Sequence, residues 1–253
     1  MNHIFFDIFE KLPRVGPGSN PATTRAFTTL KEKKDLPEDL KILDIGCGTG
    51  THTLQLAELC DGQITALDNH QPFLDTLQKR LDQTGLNGKV NRVKGDMKAM
   101  DFEPESFDLI WSEGAIFIMG LNEGLREWRK FLKPGGGLVL TDAFLFTPKV
   151  PKELRDFWDR IYPGILDTGQ AKTVIGESGY KILDQFNLPS SAWWDSYYTP
   201  LEELLPGFRK KYADNPEGMG LIAALQEEAD IFRKYSDYYG YTFFILEREI
   251  TAD

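Results

Sequence analysis

The decapeptide Lys41-Ile-Leu-Asp-Ile-Gly-Cys-Gly-Thr-Gly50 sets three glycines, Gly46, Gly48 and Gly50, directly behind an apolar run that carries one acid, Asp44. Only glycine takes left-handed dihedrals without a steric cost, so the spacing predicts a tight turn whose backbone comes close to a ligand. Asp44 restricts what that ligand is. A pyrophosphate would be repelled by a carboxylate at this place, and the G-x-G-x-G spacing lacks the ending of the dinucleotide fingerprint G-x-x-G. Positive charge is welcomed here, while the amides that open the helix from Thr51 favour an anion. Together they suit a zwitterionic group, with its α-ammonium at Asp44 and its carboxylate at the helix start; the other role open to Asp44 is to cap amides of the loop. Cys47, inside the turn, reads as a space-filling residue in preference to a reactive thiol.

Three more acids follow at intervals. Asp68 lies about twenty residues past the turn, where a carboxylate accepts two neighbouring hydroxyls at once; its other role is to cap the helix from Gln71. Asn69 serves either end equally well. In Lys94-Gly-Asp-Met97, Asp96 is placed to accept from a ring amine and Met97 to give an amide and an apolar edge, although Gly-Asp is also a common turn. Ser112-Glu113 closes the next apolar run. Glu113 is the catalytic candidate, orienting a substrate or taking its proton, or else it hydrogen-bonds a lid.

These residues need a scaffold. From 41 to 146, short apolar runs alternate with helical stretches, the signature of parallel βαβ units. Strands are expected at 41–45, 63–68, 90–94, 107–112 and 137–144, with helices starting near Thr51, Gln71 and Glu123. Phe131 and Leu132 are expected to close the last of these helices, and Lys133-Pro-Gly-Gly-Gly137 to form a loop. In such a sheet, ligands sit beyond the carboxyl ends of the strands, which lines up Asp44–Gly50, Asp68, Asp96 and Ser112-Glu113. Further on come a helix spaced by Leu154, Phe157, Trp158 and Ile161, a helix capped by Thr168, and a strand at 180–187. An irregular aromatic stretch at 189–214, a helix at 216–235 and a strand at 241–249 complete the chain. The aromatics Trp158, Tyr162, Trp193, Trp194, Tyr197 and Tyr198 either wall a substrate pocket or form the core of the insertions.

On these motifs the chain resembles the class I S-adenosylmethionine-dependent methyltransferases, within the broad group of quinone-biosynthesis-type and other small-molecule enzymes. The resemblance rests on 41–146, including Trp128-Arg-Lys-Phe-Leu-Lys-Pro-Gly-Gly136 ahead of the fifth strand. It implies a doubly wound, Rossmann-like α/β sheet of seven strands in the order 3-2-1-4-5-7-6, the last antiparallel, with helical lid segments. It also implies S-adenosylmethionine as cofactor and carries the cofactor roles onto Asp44, Gly46, Gly48, Asp68 and Asp96; Cys47, Asn69, Met97 and Ser112 are expected beside them in the binding set. Members that methylate nucleobase amines or glutamine carry an Asn/Asp-Pro-Pro-Tyr/Phe segment where this chain has Ser112-Glu113-Gly114-Ala115. That difference points to a small-molecule acceptor with an oxygen, nitrogen or carbon nucleophile. An S-adenosylmethionine-binding regulatory or structural protein without turnover is the alternative.

The amino-terminal loop Leu12-Pro-Arg-Val-Gly-Pro-Gly-Ser19, behind the apolar stripe Ile4, Phe5, Ile8 and Phe9, resembles a segment that covers the cofactor in a subset of bacterial members. Gly16, Gly18 and Ser19 would close over its methionine end with Arg14 nearby; the bland alternative is a plain connection. The expected organisation is a lid segment at 1–34 and a methyltransferase domain at 35–253, with insertions near 148–167 and 189–214 forming a substrate cap.

Composition supports this reading. Twenty-nine basic against 39 acidic residues give a formal charge of −10, which disfavours a nucleic-acid partner. The basic runs at 31–34 and 209–211 read as solvated faces. Cys47 and Cys60 form no disulfide framework or metal spacing, and His3, His52 and His70 show none either; His52 reads as an exposed polar residue. No apolar run reaches membrane-spanning length and the amino terminus lacks signal-peptide order. A cytoplasmic monomer or homodimer, with no metal and no membrane partner, is expected.

Overall fold

The structure, a computed structural model, describes residues 2–250. Met1 and residues 251–253, at the outer ends of the two expected segments, lie outside the described residues. Along the chain come α1 (Asn2–Phe9), α2 (Asn20–Lys33), β1 (Lys41–Ile45), α3 (Thr51–Leu59), β2 (Gln63–Asp68), α4 (Gln71–Thr84), β3 (Val90–Lys94) and β4 (Phe107–Glu113). Then follow α5 (Leu121–Arg129), β5 (Leu132–Leu145), α6 (Lys152–Ile161), α7 (Thr168–Glu177), β6 (Tyr180–Asn187), the single turn α8 (Ser191–Trp193), α9 (Thr199–Lys211), α10 (Pro216–Tyr235) and β7 (Tyr239–Arg248). The seven strands form one sheet in the order β3-β2-β1-β4-β5-β7-β6, with β7 antiparallel to both neighbours.

Both faces of the sheet are covered, which is why its strands read as near-continuous apolar runs. Side chains alternate across a strand. Ile42 of β1 belongs to one apolar cluster with Ala26, Phe27 and Leu30 of α2 and Leu56 of α3, while Leu43 and Ile45 belong to another with Leu125 and Trp128 of α5 and Ile175 of α7. The strand order reverses between β1 and β4, which leave β2 and β5 on their outer sides. The crevice that this reversal opens brings together Gly46, Cys47, Gly48, Asp68, Asn69, Met97 and Glu113 of the expected site residues.

Four local expectations are corrected. Leu132 does not close a helix: it pairs with Phe107, so β5 starts before the glycines, and a register shift between Phe107 and Leu109 absorbs Lys133–Gly136. The cap of α7 is Asp167, whose carboxylate accepts from Gly169 and Gln170 in a capping box, with Thr168 the first helical residue. The helix expected from Glu123 starts at Leu121, behind Gly120 at φ 82°. The stretch 189–214 is mainly helical: α8 runs through a π-helical turn at Trp194–Tyr198 into α9. A π turn holds one residue more than α-helical periodicity allows, which hides it from a search for i, i+3, i+4 spacing.

The glycine turn is bound to the neighbouring strand end, since Gly46 and Cys47 both donate to the Leu67 carbonyl, at 2.8 and 3.0 Å. Gly50 ends it at φ 80°, and a Cβ there would lie 2.2 Å from Leu77 Cδ1 of α4. Gly50→Ala therefore combines a left-handed alanine with an overpacked contact and is expected to lower stability by roughly 2–4 kcal/mol. Urea unfolding checks this; a loss under about 1 kcal/mol would mean that α4 gives way freely.

Candidate active site

A cavity of about 620 Å³ opens at the carboxyl ends of the strands. One half is walled by the glycine turn (Gly46, Cys47, Gly48), by Asp68 and Asn69 after β2, and by Gly95 and Met97 after β3, with Phe5, Phe6 and Phe9 of α1 above. The other half is walled by Asp142 of β5, Tyr162, Trp193, Tyr197, Tyr198, Glu228 of α10 and Tyr241 of β7. Glu113 and Ala115, at the end of β4, stand on the wall as well.

Gly46 and Gly48 take φ values of 74° and 54°. A Cβ on Gly46 would lie 2.4 Å from the Ala115 Cβ, so the turn and the end of β4 approach as closely as bare backbone allows. Cys47 is buried, and burial pushes its thiol pKa well up, with Asp44 and Asp68 adding to the shift. It is a packing residue and not a nucleophile at neutral pH. Asp68 accepts from the Gly48 amide at 2.9 Å on one oxygen and from the His70 amide at 2.8 Å on the other. Each oxygen keeps a second lone pair for a ligand hydroxyl. Burial raises the Asp68 pKa, and the two amides oppose that shift.

Asp44 is placed otherwise than expected. It is fully buried and off the cavity wall, with Thr53 Oγ1 donating to one oxygen at 2.6 Å and His52 Nε2 meeting the other at 3.0 Å. His52 is not exposed but 6 % accessible, and it does line the cavity. Burial works against charge on its ring, but Asp44 and Glu113 outweigh it and hold the His52 pKa above the ordinary value. The strand puts Asp44 on the inner face, and helix spacing puts His52 and Thr53 above it.

Asp96, Ser112, Gly18 and Ser19 do not contribute to the wall either. Asp96 is exposed and accepts from the Lys98 amide in a local turn. Ser112 ties β4 to β1 by donating to the Ile45 carbonyl. Ser19 caps α2 through the Ala22 amide. Gly18 donates to the Ala192 carbonyl and accepts from Ser196; a Cβ there would sit 2.4 Å from Arg14 Nε, so its bareness gives the arginine passage. Gly16 lines the cavity with Arg14, Val15 and Pro17.

Glu113 is the best-held acid of the site. Arg14 donates to one oxygen, and Thr23 Oγ1 at 2.7 Å and Trp111 Nε1 at 3.0 Å donate to the other. The ion pair is almost wholly buried, at 8 and 3 % side-chain exposure. A carboxylate so engaged fixes the amino-terminal loop to β4 and is poorly placed to take a proton from a substrate. The first helix closes the other side: Phe6 stacks on His70 at 3.6 Å, and His70 meets Glu10 at 2.7 Å.

Asp142 and Glu228 were not singled out from the sequence. Asp142 is 2 % exposed, accepts from Tyr162 OH at 3.1 Å and from the Ala143 amide at 2.7 Å, and burial pushes its pKa up to about 7. Glu228 accepts from Tyr198 OH at 2.9 Å, and burial pushes it to about 6. The apolar run containing Asp142 was visible; an acid within a central strand was the available signal. Of the six aromatics proposed for the pocket, Trp158, Tyr162, Trp193, Tyr197 and Tyr198 line the cavity and Trp194 does not.

A methyltransferase-domain family profile matches residues 42–136, which span the glycine turn, Asp68, Asp96 and Glu113. Residues 42–136 thus match a methyltransferase domain, and the match covers less than half of the chain. Its methyltransferase core is 36 % identical over 135 residues to a sterol 24-C-methyltransferase of Candida albicans, covering 51 % of this chain and 36 % of that one. The chain therefore spans about a third of that curated relative. Among solved structures, a methyltransferase of Geobacter sulfurreducens in complex with S-adenosyl-L-homocysteine aligns with TM-score 0.81 at 18 % identity, over 97 % of this chain and 98 % of that one. The [4+2]-cyclase SpnF aligns with TM-score 0.76 at 20 % identity, over 99 and 93 %. At these identities the alignments speak for the fold, and the second shows that the methyltransferase fold carries other chemistry.

The sign of the Asp142 shift gives a prediction. The unfolded chain releases this proton near the ordinary carboxylate value of 3.8 and the folded chain at about 7, so stability falls as pH rises between them. Asp142→Asn has no such charge to bury. From pH 5 to pH 8 the variant is expected to gain roughly 2–3 kcal/mol on its parent in urea unfolding. A gap that stays constant across that range would show that Asp142 ionises freely in the folded protein.

Proposed function

We propose that this chain transfers a methyl group from S-adenosylmethionine to a small-molecule acceptor, releasing S-adenosylhomocysteine. The observation that carries the reading is the joint placement of Gly46, Gly48, Asp68 and Met97 on one wall of a cavity whose opposite wall is built from other residues. The residues fit the cofactor: a bare-backbone turn receives its amino-acid end, and Asp68 offers two oxygens with free lone pairs to the ribose. When bound, the cofactor supplies an electrophilic methyl group. His52, its pKa held up by Asp44 and set in the first turn of α3, faces the amino-acid carboxylate; Asp44 thus acts through the imidazole in this reading. Met97, Leu67 and Phe73 flank the adenine. Cys47 and Asn69 stay in the binding set, and Asp96, Ser112, Gly18 and Ser19 support it from behind the wall.

Residues 1–34 act as a lid and the segments 148–167 and 189–214 as a substrate cap. Their task is to hold the acceptor in line with the methyl group and to keep water out. Glu113 serves as the latch of that lid. A cavity with a full second half favours turnover over a purely regulatory binder, because a binder needs no chamber beyond its ligand. Nothing in the wall suits nucleic acid, in keeping with the acidic charge, and no helix among the described residues is long and apolar enough to cross a membrane. The two free cysteines accord with a cytoplasmic, reducing setting. A monomer or homodimer is retained as the working state.

Calorimetric titration with S-adenosylmethionine and S-adenosylhomocysteine tests the reading, with NADH as control. Micromolar binding of the first two and none of NADH is expected; absence of binding by both would refute it. Asp68→Asn keeps the shape of the acceptor but loses its charge and is expected to weaken S-adenosylhomocysteine by roughly 10–100-fold. Unchanged affinity would place the ribose elsewhere.

A further inference from the structure

Two acids of the cavity's far half, Asp142 and Glu228, have no counter-ion. The two arginines on its wall are already engaged, Arg14 with Glu113 and Arg160 with Glu227. No lysine lines the cavity. Among the described residues, Asp142 has only the Tyr162 hydroxyl and the Ala143 amide, and Glu228 only the Tyr198 hydroxyl. Carboxylates taken out of water without a cation are costly, and such cost concentrates where a ligand relieves it. The walls around them are aromatic: Trp193 packs edge-on against Tyr241 at 4.8 Å, Phe117 against Tyr162 at 6.4 Å and Trp158 against Tyr162 at 6.5 Å. Aromatic faces attract cations. The indole nitrogens of Trp158 and Trp193, both buried, have no acceptor among the described residues, a second sign that the chamber is completed by a ligand.

We propose that this second half of the cavity is an amine site, in which Asp142 and Glu228 serve as counter-ions to the nitrogen of the acceptor and the aromatic rings enclose it. The proposal rests on the methyltransferase reading above and names its acceptor class: an aliphatic amine, methylated on nitrogen. Asp142 sits at the right end of the sheet for this. Thr141, its neighbour in β5, pairs with Glu113 and accepts the Gly114 amide, which puts Asp142 beside the end of β4. An ammonium entering the site gives its proton to the Asp142 carboxylate and becomes a neutral amine. Its lone pair then forms the carbon–nitrogen bond, the carbon–sulfur pair remains on sulfur as a thioether, and the positive charge passes from sulfur to nitrogen. Glu228 faces that charge before and after the step. A neutral hydroxyl or carbon acceptor would leave both acids without a partner, and an anionic acceptor would be repelled.

Charge alone is tested by two compounds of equal shape, phenyltrimethylammonium and tert-butylbenzene. Their affinities are measured by tryptophan fluorescence on protein saturated with S-adenosylhomocysteine, whose own affinity is determined in the same samples. The cation is expected to bind at least tenfold more tightly than its neutral twin. In the Asp142→Asn, Glu228→Gln double variant that preference should fall below threefold, with S-adenosylhomocysteine affinity kept. Equal binding of the two compounds by the parent, binding of neither, or a preference that survives in the double variant would overturn the proposal. Because the parent comparison needs no substitution, misfolding of the variants does not spare it. If S-adenosylhomocysteine binds and the charge preference is absent, the amine site fails while the methyltransferase reading stands; if S-adenosylhomocysteine does not bind, the cofactor reading fails on its own.

Discussion

One buried carboxylate organises the closed form of this protein. Glu113 stands at the end of β4 and receives donors from the amino-terminal loop, from α2 and from its own strand. Of the three, α2 and β4 are packed into the core, but the loop has no core of its own and little else to oppose its chain entropy. The converse holds too: without Arg14 the acid would be a withdrawn charge with only the neutral donors Thr23 and Trp111. Lid and sheet are therefore each other's condition. Arg80 repeats the arrangement one layer out, donating to Thr49, Thr51 and the Pro13 carbonyl, so that the glycine turn, α3 and the amino-terminal loop share one cation.

Against that fully satisfied centre, the far half of the cavity is deliberately unfinished. Both halves are built from acids and aromatics, yet in one half each oxygen has its donor and in the other two acids share no cation. The difference is not one of burial, since Glu113 and Asp142 are both withdrawn from water. It is one of neutralisation. The structure neutralises the acid that ties the amino-terminal loop to β4 and leaves Asp142 and Glu228 with hydroxyl and amide donors alone.

Much of the fold was legible because its signals are local. Strand and helix periods and the glycine turn follow from 41–146, and the sheet has the order that the resemblance implied. The places where reading failed depend on partners distant in sequence. Leu132 reads as the tail of a helix until Phe107 is seen to pair with it. His52 reads as a surface residue until Asp44 is seen beneath it. Asp44, Asp96 and Ser112 have the right residue type and the right strand ends, but hydrogen bonds made to the protein itself take them off the cavity wall. Residue type and position along a strand name the neighbourhood; which acid is free to meet a ligand is decided by who else competes for its oxygens.

The π-helical turn at Trp194–Tyr198 carries its own implication for how such a cap changes over time. One residue in a helix is worth about 100° of rotation. Deleting a single residue from this turn would restore ordinary periodicity and swing everything on one side of it by that angle, while the seven strands kept their pairing. Tyr197 and Tyr198 would then present different faces to the chamber. A lineage could thus trade one substrate for another by gaining or losing one codon in the roof, with the floor that holds the methyl donor left untouched.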